Sequence, residues 1–209
     1  MSERYEFRDF TISRSLVPHK DDYRKYKRYL RVDFKNRCGY CNAIEKQITP
    51  FHADHFIPMC KCVGQFSYLK NAYKNLVFSC PVCNRYKSSQ FEGDLEADPY
   101  SNSLFYNPIE TDFRFLFYRN KYGVICSDDS KGIDMIIRLR LYSSLHAIEW
   151  ALERINRSIE ELDRVIGQIG GESKSSLSFL NGELFRLFRL LTNIYEASYN
   201  SLASQVVEE

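Results

Sequence analysis

Four of the seven cysteines form two pairs with metal-ligand spacing. Cys38 and Cys41 make one CxxC pair, and Cys80 and Cys83 make the second. Two residues between cysteines let both thiolates of a turn reach one ion, and two such pairs complete a tetrahedral zinc site. Because four thiolates leave no open coordination position, the pattern predicts a structural zinc rather than a catalytic one. The alternative, four unrelated free cysteines, is disfavoured by this pairing.

A third, closer pair of cysteines lies between these two. Cys60 and Cys62 form a CxC pair in the intervening segment. They could replace one thiolate, bind a second ion or be inert. We expect them to be inert, because cysteine packs well as a small hydrophobic residue.

Polar residues between and within the CxxC pairs could hold a second metal and a base. The segment HADHFIP places Asp54 beside His55, and Asn84 follows the second pair. Carboxylate and carboxamide oxygens suit Mg²⁺ or Mn²⁺, and histidine is the usual base for activating water near neutral pH. On a strand, His52 would share a face with Asp54. It could approach the metal or a phosphate, but a structural hydrogen bond is the expectation.

These motifs resemble the HNH, or ββα-metal, nuclease family. The resemblance is carried by CGYC, then ADHFIP, then NL, then CPVCNRYK, and covers about residues 36–90. It implies that Asp54 binds the catalytic metal and that His55 is the general base. It also implies that Asn75 orients the base across the hairpin, and that Asn84 completes the metal site in place of the final histidine. This substitution favours Mg²⁺.

Two basic residues near the end of this segment are candidates for substrate binding. Lys87 falls where these enzymes are often basic, and Arg85 lies beside it on the same expected helix. The resemblance implies that Lys87 contacts a backbone phosphate, and Arg85 is the second candidate for substrate binding.

Charge is distributed unevenly along the chain. The 209 residues carry a formal net charge of +2, yet residues 1–90 hold 17 Lys+Arg against 8 Asp+Glu. A basic half suggests a polyanionic partner, since Lys and Arg neutralise phosphates and release counterions. The alternative is a solvated basic surface without a ligand.

The elements that must position these residues follow from periodicity. Residues 20–37 predict a helix through Tyr23, Tyr26, Leu30 and Phe34. Residues 38–90 predict a turn, a short strand ending near Pro58 and a helix from about Cys80. Residues 104–126 predict a β-hairpin in which Phe113, Phe115 and Phe117 alternate with other side chains. From Ile133 onward, two amphipathic helices are broken at residues 167–173, with the second running to about Val207.

We therefore expect an α+β fold, namely a ββα-metal core stapled by a four-cysteine zinc site. It carries an N-terminal helix, a following β-hairpin and a long C-terminal helical hairpin. The expected domains are 1–37, a basic helical segment; 38–131, the nuclease core with the β-hairpin; and 132–209, an assembly element. No apolar run approaches the roughly 20 residues of a membrane span, and the charged N-terminus lacks a secretory signal. The expected location is the cytoplasm.

The predicted function is a metal-dependent endonuclease that hydrolyses phosphodiester bonds, with DNA favoured as substrate. The alternatives are an RNA-cleaving enzyme and a catalytically inactive zinc-containing module that binds nucleic acid or acts as an adaptor. By family analogy, the chain would be an effector of bacterial anti-phage defence or restriction. The C-terminal helices would mediate homo-oligomerisation or dock a partner protein such as an ATPase.

Overall fold

The computed structural model describes residues 3–46, 50–98, 100, 102–169 and 171–204. The described residues divide into two compact units, one ending at Ser143 and the other beginning at Ser144. The expected end of the last helix near Val207 lies outside the described residues. None of the helices in the described part of the chain combines the length and apolarity needed to cross a membrane.

The centre of the first unit is a two-stranded hairpin followed by a helix. Strand β2 (His52–His55) pairs antiparallel with β3 (Leu76–Ser79), and helix α2 (Pro81–Lys87) begins two residues later. Proline suits the first position of a helix because no backbone N–H is needed there. This arrangement confirms the expected ββα core.

The predicted N-terminal helix is present but shorter than residues 20–37. A 3-10 turn, Tyr23–Tyr26, leads into helix α1 (Lys27–Asp33), and Asp22 caps the turn by accepting from the Arg24 N–H at 2.9 Å. Leu30 and Phe34 are fully buried. The aromatic and aliphatic positions at spacings of three and four therefore dock this segment on the core.

The predicted β-hairpin exists only in its second half. Strands β4 (Tyr118–Asn120) and β5 (Ile125–Cys126) pair, and β1 (Arg4–Glu6) joins them as a third strand. The strand expected through the alternating phenylalanines is wrong, because α3 (Phe113–Leu116) is helical. A helical turn puts Phe113 and Phe117 on one face, with ring centroids 4.9 Å apart, whereas Phe115 is 87% exposed.

Helix α4 (Ser130–Arg138) lies in the first unit. It buries Met135 and Ile136, and Leu139 just beyond it is also buried. Residues 132–143 were expected to belong with the C-terminal helices, but the first compact unit extends to Ser143.

The second unit consists of α5 (Ser144–Gln168) and α6 (Gly171–Ser204). On α5, Leu145, Leu152 and Ile159 are buried at intervals of seven residues, which confirms an amphipathic helix. On α6, the apolar positions expected to face α5 are confirmed in part, because Leu177, Leu184 and Leu191 are half-buried. Leu180, Leu187 and Ile194 were expected on the same face but are 50–54% exposed, and the buried positions include Asn181 and Tyr195 instead. Asn181 donates to the Asp163 carboxylate of α5 at 2.5 Å, so a polar contact helps to set the pairing.

Candidate zinc centre and active site

The four cysteines of the CxxC pairs converge in the structure. Cys38, Cys41, Cys80 and Cys83 are all buried, and their Sγ atoms lie within 4.8 Å of one another. The Cys41 and Cys80 sulfurs are 3.8 Å apart. Zn–S bonds of about 2.3 Å in a tetrahedron place sulfurs about 3.8 Å apart. The donor set and its spacing therefore fit one zinc ion.

Backbone contacts fix the first CxxC turn against the hairpin. The Gly39 N–H donates to the Phe78 carbonyl at 2.7 Å. A Cβ on Gly39 would lie 2.6 Å from Val77 Cγ1 and 2.8 Å from a Phe34 ring carbon. Glycine is thus required for this close approach, which brings the first pair to the second. The Cys80 N–H also donates to the Cys38 sulfur at 3.3 Å.

The charge of a tetrathiolate site is matched by buried arginines. Contact with the Cys38 and Cys41 thiols raises the pKa of Cys80 well above its usual range, so a divalent cation is needed to hold it as thiolate. Zinc with four thiolates carries a net charge of −2. Arg8 donates to the Gly39 carbonyl at 2.8 Å, and Arg119 donates to the Cys41 carbonyl at 3.1 Å. Both arginines are buried and offset that charge.

The Asp54 carboxylate is held by two fully buried groups. The Tyr40 hydroxyl donates to Oδ2 at 2.8 Å, and the Lys87 ammonium lies 3.4 Å from Oδ1. Lys87 also donates to the His55 carbonyl at 2.6 Å. Burial raises the pKa of Asp54, while Lys87 and Tyr40 act to lower it. One oxygen anchored on each side fixes the plane of the carboxylate.

The His55 ring is fixed in one tautomer. Its Nε2 lies 2.8 Å from the Lys70 carbonyl, which can only accept, so Nε2 carries the proton and Nδ1 keeps a free lone pair. Burial lowers the pKa of His55 below its ordinary value of 6.5. A neutral imidazole with one free nitrogen is the form that a general base requires.

Asn75 holds the chain that follows β2 rather than the histidine ring. Its Oδ1 accepts from the Ile57 N–H at 2.8 Å, and its Nδ2 donates to the carbonyls of Ile57 and Leu69, both at 3.1 Å. Its backbone carbonyl accepts from the Phe56 N–H at 2.8 Å. Its bonds therefore join both ends of the connection between the strands, so any effect on His55 passes through the backbone.

Lys87 lies elsewhere than the sequence analysis expected. It has no exposed surface and binds Asp54 and the His55 carbonyl, so it belongs to the interior of the site rather than to a phosphate-facing surface. Asn84 and Arg85 lie on α2 within one turn of Lys87, and both are half-buried. Their roles in metal and substrate binding stay predictions.

The remaining candidates lie outside the cluster. Cys62 is buried and donates to the Pro58 carbonyl at 3.4 Å, which agrees with a packing role, whereas Cys60 is exposed. His52 is exposed at the start of β2. Tyr40, Arg8 and Arg119 belong to the site but were not among the predicted residues. For Tyr40 a signal was available, because it lies between two predicted zinc ligands and a buried tyrosine hydroxyl usually finds a hydrogen-bond partner.

Comparison with known proteins agrees with this geometry. Residues 38–90 match the family described as HNH endonuclease. No curated protein and no solved structure matches the chain. The matched segment begins at the first zinc cysteine and ends just after α2, so it contains the zinc ligands, the β2–β3 hairpin and the Asp54–His55 pair. Residues 38–90 are therefore similar to an HNH endonuclease domain.

Proposed function

We propose that this protein is a metal-dependent endonuclease that hydrolyses phosphodiester bonds of nucleic acid, with DNA as the favoured substrate. The observation that carries the proposal is the Asp54–His55 pair at the end of β2. The pair combines an anchored carboxylate with a neutral imidazole of fixed tautomer. Hydrolysis needs at least a base that activates the attacking water and a ligand that holds the metal. Adjacent residues of β2 supply both.

In this mechanism, Nδ1 of His55 takes a proton from the attacking water. The Lys70 carbonyl stabilises the imidazolium that forms, because it accepts from the Nε2 proton. Asp54 and Asn84 would hold a divalent ion, Mg²⁺ or Mn²⁺, which when bound supplies positive charge to the phosphate and the leaving oxygen. Tyr40 keeps the Asp54 carboxylate in place throughout.

The basic residues of the first 90 positions support a nucleic-acid substrate. These positions contain 17 Lys+Arg and 8 Asp+Glu. This positive charge favours a long polyanion over a small phosphate ester as the substrate. Arg85 is the candidate for a phosphate contact, since it lies on α2 beside Asn84. Such contacts position the backbone and carry no sequence information.

The test is cleavage of plasmid, single-stranded DNA and RNA with Mg²⁺, Mn²⁺ or EDTA, comparing wild type with His55→Ala. Loss of a general base typically costs about 10²–10⁴-fold in rate. The matched control is His52→Ala, which removes an exposed histidine from the other end of β2 and should retain activity. Cleavage of RNA alone would reassign the substrate. Full activity in His55→Ala would exclude this residue as the base, and an inactive wild type that binds DNA would indicate an adaptor.

The metal ligands are tested with two further variants. Asp54→Ala and Asn84→Ala should raise the Mn²⁺ concentration needed for half-maximal cleavage, with partial recovery at excess Mn²⁺. If either variant titrates like wild type, that residue is not a ligand.

We also propose that α5 and α6 mediate assembly, as a homo-oligomer or with a partner protein such as an ATPase. The support is the apolar surface of α6, where Phe179, Leu187 and Leu190 are more than half exposed. By family analogy, the enzyme would act in the bacterial cytoplasm in defence against phage or in restriction. Light scattering on the full chain should find an oligomer, or a pull-down from the native host should recover a partner. A monomer with no partner contradicts the assembly role.

A further inference from the structure

A tyrosine outside the HNH-matching residues contacts the His55 ring. Tyr23 lies in the 3-10 turn before α1, and its ring meets the imidazole edge-on, with centroids 4.5 Å apart and planes at 63°. Tyr23 is half-buried, whereas His55 is 7% exposed. The N-terminal segment therefore supplies one wall around the proposed base.

Asn71 ties this tyrosine to the same loop that holds the histidine. Its Oδ1 accepts from the Tyr23 N–H at 3.0 Å, and its Nδ2 donates to the Asp21 carbonyl at 2.8 Å. The residue before it, Lys70, provides the carbonyl that accepts from His55 Nε2. Residues 70 and 71 of one loop thus hold the imidazole at a nitrogen and hold the backbone of the tyrosine whose ring packs on it.

Other contacts hold the N-terminal segment in place without Tyr23. The Tyr73 hydroxyl donates to Asp33 at 2.7 Å, and the rings of Tyr26 and Tyr73 lie 4.9 Å apart. Tyr26 is 1% exposed, and its hydroxyl accepts from the Lys20 N–H at 2.7 Å. Because these bonds anchor both ends of the turn, a change of the Tyr23 side chain should leave the fold intact.

We infer that Tyr23 is a positioning residue for His55, an assignment that rests on the proposed function. In the described part of the chain, the imidazole makes a hydrogen bond at Nε2 and a ring contact with Tyr23. The hydrogen bond alone permits rotation of the ring about it, and the Tyr23 ring limits that rotation, so the Nδ1 lone pair stays directed at the reacting water. The N-terminal segment is then part of the active site, although the family match begins only at residue 38.

The experiment compares Tyr23→Leu, Tyr23→Phe and Tyr29→Leu in the full chain. Tyr29 is a half-buried tyrosine on α1 whose hydroxyl accepts from Arg28. Tyr29→Leu is therefore the control, because it makes the same substitution at a half-buried tyrosine that is not the one packed on His55. Edge-to-face aromatic pairs contribute about 0.5–1.5 kcal/mol, which corresponds to about two- to tenfold in rate. We expect Tyr23→Leu to lower kcat by this factor with KM unchanged. Tyr23→Phe, which keeps the ring, and Tyr29→Leu should retain the wild-type kcat.

A second readout follows the ring itself. The carbon-bound ring protons of His55 sense the Tyr23 ring current, so their NMR shifts should change in Tyr23→Leu and stay in Tyr23→Phe. A tyrosine that only fills space would change thermal stability and leave kcat alone. An active wild type with an unchanged kcat in Tyr23→Leu overturns the Tyr23 assignment alone. A wild type that cleaves nothing defeats the proposed function, and this assignment falls with it.

Discussion

Replacement of Lys87 by methionine tests the reassignment of this residue from the substrate surface to the interior. The Lys87 side chain is 0% exposed, and its partner Asp54 is 8% exposed. Methionine keeps most of the volume but removes the ammonium. Of the two groups that hold the Asp54 carboxylate, Tyr40 and Lys87, only the Tyr40 hydroxyl then remains. Breaking a buried ion pair by removing one partner costs about 3–5 kcal/mol, so Lys87→Met should lower the free energy of unfolding by about that amount.

The measurement is urea unfolding at constant zinc, arranged as a double-mutant cycle with Asp54→Asn. Without the carboxylate charge, loss of the ammonium leaves no uncompensated ion. The cost of Lys87→Met in the Asp54→Asn background should therefore be smaller, with a coupling energy of about 0.5–3 kcal/mol. The His55 carbonyl loses its bond to Lys87 in both backgrounds, so that contribution cancels.

The pH dependence of this cost has a definite sign. Burial raises the pKa of Asp54 above its ordinary 3.8, and Lys87 opposes the rise; removing Lys87 therefore raises the pKa further. A carboxyl whose pKa is higher in the folded state loses stability as pH rises from 3.8 through the folded value. The cost of Lys87→Met should shrink toward acid, where Asp54 takes up a proton. The interior role would be refuted if Lys87→Met lowered the free energy of unfolding equally with and without Asp54→Asn. It would also be refuted if Lys87→Met left stability unchanged and raised KM, a result that would favour the phosphate contact.

The zinc and the base provide the remaining predictions. Elemental analysis should find one zinc per chain, and Cys38→Ser should lose it and unfold, since structural zinc supplies folding free energy; a zinc-free folded protein contradicts this. Arg8→Met should weaken zinc binding by about 10–100-fold in a chelator competition, as expected for an outer-shell partner, and an unchanged affinity would remove Arg8 from the charge balance. Burial lowers the pKa of His55 below 6.5, so the cleavage rate should rise with pH to a plateau, with a midpoint below 6.5; a higher midpoint argues against His55 as the titrating base.

Local spacing was sufficient to predict the zinc cysteines, a short strand ending near Pro58 and a helix from about Cys80, whereas the ββα core was implied by the resemblance to the HNH family. Each of the locally predicted features depends on residues within one turn, or on a proline that ends or starts an element. The phenylalanines at 113, 115 and 117 show the limit of this reasoning. Their alternation suits a strand, but the Asp112 side chain accepts from the Arg114 N–H at 3.0 Å and starts a helical turn instead. The helical turn is stabilised by packing of Phe117 on Phe7, whose ring centroids lie 5.4 Å apart.

The pairing of Asp54 with Tyr40 and Lys87 was not predicted, for a different reason. Tyr40 lies 14 residues before Asp54, and Lys87 lies 33 residues after it. Burial of a lysine depends on three elements meeting, and nothing in the local pattern around Lys87 distinguishes it from a surface residue. Lys87 was expected to contact phosphate, whereas the structure pairs it with Asp54 and the His55 carbonyl.

The position of Tyr40 between two zinc ligands affects how metal removal should be interpreted. Its hydroxyl reaches Asp54 at 2.8 Å, so the zinc turn and the proposed site for the second ion are joined through one side chain. A strong chelator would then inactivate the protein in two stages. Loss of the divalent ion would be fast and reversed by Mg²⁺ alone. Loss of zinc would be slower, would release the carboxylate from its anchor, and would need zinc to be restored before Mg²⁺ could act.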